Sequence, residues 1–108
     1  MNTQQKVRLS DDVIKAISKI FFKTFLPNDE LWLFGSRVDE SKKGGDIDLY
    51  IETNLSSYDI AVNKKIIFLS ELKEEIGDQK IDVVLNLLSS NYQLPIYEIA
   101  RTNGVRLI

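Results

Sequence analysis

Apolar residues recur at helical spacing near the start of the chain: Ile14, Ile17, Phe21 and Phe25, in a stripe widened by Val13 and Ile20. That period predicts a helix with one buried face. Ser10 or Asp11 can cap it, and Asp11 and Asp12 stand where the helix dipole favours acids. Pro27-Asn28-Asp29 ends the helix at about Phe25 and turns the chain. A strand over Glu30 to Phe34 follows, then a polar loop from Arg37 to Gly45, then a second strand from Asp46 to Ile51. Ser56 or Ser57 opens a long helix to Ile76, with Ala61, Phe68, Leu69, Leu72 and Ile76 on one face and Gly77 as its left-handed stop. Lys80 to Leu87, rich in β-branched residues, predicts a third strand. Pro95 suits the first turn of a last short helix, Ile96 to Thr102, closed by Asn103-Gly104, and Val105 to Ile108 adds a short final strand. The order α-β-β-α-β-α-(β) predicts an α+β fold, a mixed sheet with helices packed on one side.

The second strand departs from an ordinary pattern. Asp is disfavoured in strands, yet Asp46 and Asp48 fall within an otherwise apolar one. Side chains alternate along a strand, so both carboxylates project from one face while Ile47, Leu49 and Ile51 enter a core. Two neighbouring anions repel unless a cation lies between them. Gly35-Ser36 ends the preceding strand, where a glycine turn can approach phosphates closely; Ser36 adds a hydroxyl donor and Arg37 a fork-shaped cation. Asp82 is again an acid within a strand, and it can share the face of Asp46 and Asp48 if the second and third strands are neighbours. Each piece has an ordinary reading: a strand-ending turn, an exposed hairpin, a surface acid paired with Lys80. Lys42 and Lys43 read as a solvated turn, and Trp32 and Tyr50 as packing residues. The coincidence of Gly-Ser, nine intervening residues and Asp-Ile-Asp inside a second strand moves the reading to a divalent-metal and phosphate site.

Composition narrows the chemistry. At 108 residues the chain predicts one domain spanning residues 1–108. It contains no Cys and no His, which removes thiolate nucleophiles, zinc–thiolate sites and imidazole bases. A metal held by Asp oxygens is then a hard one, Mg2+ or Mn2+. A net charge of -2 gives no general attraction to nucleic acid or to an anionic membrane. No apolar run approaches the ~20 residues needed to span a bilayer. Met1 to Lys6 carries no apolar signal region, so a cytoplasmic address is expected.

Together these residues resemble the minimal nucleotidyltransferase family, the small members of the DNA polymerase β-like superfamily. Its signature is Gly-Ser, a spacer, Asp-x-Asp and a third acid on a later strand, matched here by Gly35, Ser36, Asp46, Asp48 and Asp82. The ending Ile99-Ala100-Arg101-Thr102-Asn103-Gly104-Val105 is also similar to that family. The family spacer is usually ten residues; Arg37 to Gly45 makes nine, a trim that bears on how phosphates are held. The resemblance implies that Asp46 and Asp48 bind two Mg2+ ions and that Asp82 completes the metal site or takes the acceptor proton. It implies that one ion and the Gly35-Ser36 turn hold the triphosphate of ATP, where Arg37 stands beside them as a candidate phosphate-binding cation. Larger members carry extra domains for their acceptors, so the size points to the antitoxin type, which transfers AMP to a tyrosine of a HEPN-domain toxin encoded by a neighbouring gene. The expected assembly is a hetero-oligomer, without direct nucleic-acid binding or membrane association. The alternatives are a non-catalytic nucleotide-binding regulatory subunit and an antitoxin that acts by occlusion alone.

Overall fold

A computed structural model describes residues 9–38, 46–77 and 79–108. Lys42, Lys43, Gly44 and Gly45 of the expected loop lie outside the described residues.

Helix α1 spans Asp11–Thr24. The Ser10 side chain accepts from the Val13 N–H at 3.2 Å, so Ser10 is the cap, a contact worth about 1 kcal/mol. Ile17, Ile20 and Phe21 are buried on its inner face. Strand β1 is Glu30–Phe34 and β2 is Ile47–Thr53. Helix α2, Tyr58–Ile76, is capped by Ser57 and stopped at Gly77, whose φ of 87° suits a residue without a side chain. Strand β3 is Ile81–Leu87, helix α3 is Pro95–Asn103, and β4 is Val105–Arg106. β4 is shorter than expected, although the N–H groups of Leu107 and Ile108 both reach the Leu31 carbonyl, at 2.9 and 3.1 Å. Gly35–Val38, at the start of the expected loop, forms a short 3-10 turn.

The sheet order is β3-β2-β1-β4. β1 runs antiparallel to β2 and β4, while β2 and β3 are parallel, with α2 as the crossover that a parallel pair requires. Leu31, Leu33, Leu49, Ile51, Ile81 and Val83 face α1 and α2 in the main core. Within it the rings of Phe21 and Phe25 stack with centroids 5.1 Å apart, and Phe68 meets both edge-on. Lys23–Glu71 and Lys19–Glu75 bridge the two helices at the surface.

The expectation of helices on one side holds for α1 and α2 but not for α3. Trp32 and Tyr50 are directly paired across β1 and β2 and point to the opposite face. There they pack with Tyr97 and Ala100 of α3. Because the middle of both strands is apolar on both faces, the second face also needs a cover.

Asp29 does more than turn the chain. It is 3% exposed, and its carboxylate accepts from Leu26 N (3.0 Å), Thr53 Oγ1 (2.6 Å), Asn54 N (2.7 Å) and Asn54 Nδ2 (3.1 Å). This knot ties the entry to β1 to the exit of β2. Among the described residues, no helix is long and apolar enough to cross a membrane.

Candidate active site

Strand register gathers the acids. Phe34 pairs with Asp48, which brings Gly35, the next residue, to one side of that carboxylate. Asp48 pairs with Asp82 on its other side, in the parallel β2–β3 ladder. Asp46 immediately precedes β2, two positions before Asp48. Ile47 and Leu49 enter the main core, so by strand alternation Asp48 and Asp82 share the face of Tyr50 and Val84. Asp82 is exposed there, while Asp46 and Asp48 are half-buried.

The electrostatics follow from that crowding. Burial raises the Asp48 carboxyl pKa, and the charges of Asp82 and Asp46 raise it further. Lys80 acts in the opposite direction. Its ammonium lies 3.6 Å from Asp46 Oδ2, so the ion pair of Lys80 is with Asp46 and not with Asp82, as the local sequence suggested.

Gly35 answers to two constraints at once. Its φ is 79°, and a Cβ built on it would collide with Asp48 Oδ2 and come within 3.2 Å of Asp48 Cγ. Only glycine lets the turn close against that carboxylate. Ser36 lies in the same 3-10 turn, and Arg37 donates from Nη2 to Gln79 Oε1 at 3.4 Å, next to the start of β3.

Asp48 and Asp82 on neighbouring strands, with Asp46 just before β2, offer hard carboxylate oxygens of the kind that suits Mg2+ or Mn2+. As the side chains stand, no three acids among the described residues are closed around a common point. Like charges beside a lysine favour that open arrangement.

A second polar cluster lies further along the same face, and sequence reasoning missed it. Tyr50 donates from its hydroxyl to Glu52 Oε2 at 2.7 Å, and that hydroxyl accepts from Asn86 Nδ2 at 2.9 Å and Arg101 Nη1 at 3.0 Å. Arg101 also pairs with Glu52 at 2.7 Å. Burial is the main reason the Tyr50 phenol pKa is pushed up to about 12. The signal was present as polar residues two apart, Tyr50 and Glu52, with Asn86 on the neighbouring strand. The cluster fastens α3 to β2 and β3 beyond the acids, and Tyr50 serves both as packing and as a hydrogen-bond hub.

A mixed four-stranded sheet with three helices is consistent with the polymerase β-like nucleotidyltransferase fold. The chain matches the family model described as the nucleotidyltransferase domain over residues 14–106, and it belongs to that family, whose general chemistry is nucleotidyl transfer. No curated protein matches the chain.

Proposed function

We propose that this protein is a Mg2+-dependent nucleotidyltransferase that moves AMP from ATP to a tyrosine hydroxyl of a HEPN-domain partner, and so acts as an antitoxin. The observation that carries the transferase reading is the register of Asp48 against Asp82, with Asp46 two positions away and Gly35 closed on Asp48. The choice of ATP, tyrosine and a HEPN partner is supported by the resemblance of Gly35-Ser36, Asp46-Ile47-Asp48 and Asp82 to the minimal nucleotidyltransferases.

Asp46, Asp48 and Asp82 would hold the metal. The half-buried, crowded carboxyl of Asp48 gains from a cation, because its charged form is disfavoured without one. When bound, paired Mg2+ ions stabilise both the attacking and the leaving oxygen of an in-line displacement.

The remaining work belongs to the chain. The turn at Gly35 and Ser36 binds phosphate oxygens through backbone N–H groups and a hydroxyl, and Arg37 supplies a cation beside them. Asp82 accepts the proton of the acceptor hydroxyl. The acceptor oxygen then bonds to the α-phosphorus, the bond from that phosphorus to the bridging oxygen breaks, and pyrophosphate leaves with the electron pair.

The test incubates protein, Mg2+ and the product of the neighbouring gene with ATP labelled at either the α- or the γ-phosphate. Covalent label from the α position alone, absent with Asp46→Asn, is the expected result. A complex that forms without any label would refute the enzyme reading in favour of a binding subunit.

A further inference from the structure

Lys80 stands in the carboxylate site without a part in the chemistry above. Ile47 pairs with Ile81, and the Ile47 N–H donates to the Lys80 carbonyl at 3.0 Å. Asp46 and Lys80 therefore precede the first paired residues of two parallel strands, and Asp48 and Asp82 follow one position later as a direct pair. The result is a quartet of three carboxylates and one ammonium. The Lys80 Nζ lies 3.6 Å from Asp46 Oδ2, with the two side chains 70% and 41% exposed. An ion pair that open contributes little to folding stability. At a site built to take a cation, the same charge has a different consequence, because it occupies a carboxylate oxygen that the cation would use.

We propose that Lys80 is a built-in counter-ion of the site, holding Asp46 in the metal-free protein and yielding it to a divalent cation, so that its charge sets the concentration at which the site fills. The proposal rests on the metal-site reading of Asp46, Asp48 and Asp82. Lys80 opposes the cation twice: its ammonium competes for Asp46, and its positive charge repels what replaces it. A unit charge at contact distance from a divalent ion, under solvent-like screening, changes affinity by roughly tenfold. With Lys80 present, the quartet carries two net negative charges in place of three, which spares the metal-free protein part of its carboxylate repulsion.

The test is Mn2+ binding by the protein alone, without nucleotide or partner, read from the loss of the free-Mn2+ electron paramagnetic resonance signal. Wild type, Lys80→Met, Lys80→Arg and Asp48→Asn are compared, with circular dichroism showing that each is folded. Lys80→Met is expected to bind about tenfold tighter, Lys80→Arg to stay near wild type, and Asp48→Asn to lose most binding. Equal or weaker binding by Lys80→Met would overturn the role of Lys80 while leaving the metal site standing. No binding by either wild type or Lys80→Met would overturn the metal site and the proposal together.

Discussion

Gly35→Ala separates the two constraints on the glycine turn. An L-residue held at a φ of 79° is strained, by about 1–2 kcal/mol. Added to that, the new Cβ collides with Asp48 Oδ2 and lies 3.2 Å from Asp48 Cγ. The carboxylate must rotate away from a position set by its neighbours on β1 and β3, at roughly 0.5–1.5 kcal/mol for an off-rotamer side chain. The sum is about 1.5–3.5 kcal/mol, a large part of the roughly 5–15 kcal/mol that holds a typical domain folded. Urea denaturation at pH 7 measures it. The decisive comparison repeats Gly35→Ala in an Asp48→Ala background, where the colliding oxygen is gone and only backbone strain remains. The cost there should fall by about 1 kcal/mol, as a coupling energy between the two positions. Equal costs in both backgrounds would refute the claim that the turn is closed against the carboxylate.

Asp48→Asn should leave the metal-free fold intact and raise its urea midpoint at pH 7. The folded-state carboxyl pKa is raised, so its penalty is absent below the ordinary carboxylate value near 4 and is present in full once pH passes the raised value; the advantage of the amide should therefore vanish at pH 3.5. Asp29→Ala removes an acceptor of four hydrogen bonds from a buried position, and about 3–4 kcal/mol of stability should go with it by chemical denaturation. Tyr50→Phe leaves Glu52, Asn86 and Arg101 without their shared hydroxyl, for a loss of about 1–2 kcal/mol. In ultraviolet titration the same variant should lack the ionisation near pH 12 assigned to Tyr50.

What could be read in advance was what local pattern encodes. The stripe of α1, the span of β1, the stop at Gly77 and each helix cap to within two adjacent residues, of which the structure takes Ser10 and Ser57, all rest on residues within a few positions of one another. The candidate acids were visible for the same reason, since Asp inside an apolar strand is a local contradiction. Partners across strands were not visible. Lys80 and Asp82 are two apart and looked like neighbours, but strand register brings the lysine to Asp46 instead. Trp32 and Tyr50 read as packing residues, but their pattern does not say that α3 would cover them on the face opposite α1 and α2. Asp29 looked like a turn former, because the groups it accepts from lie up to 25 positions away.

The knot at Asp29 bears on how the acid site is kept in register. A slip of one residue in β2 would turn Asp48 into the apolar layer beneath α1 and α2 and move Ile47 and Leu49 to the face of the acids and Tyr50. Thr53 and Asn54, held by Asp29, lie five and six residues beyond Asp48, or about 17–20 Å along an extended strand. The strand is thus pegged at the end remote from its acids, like a ruler clamped at one mark. Drift in the alignment of the site is resisted by a carboxylate that takes no part in its chemistry.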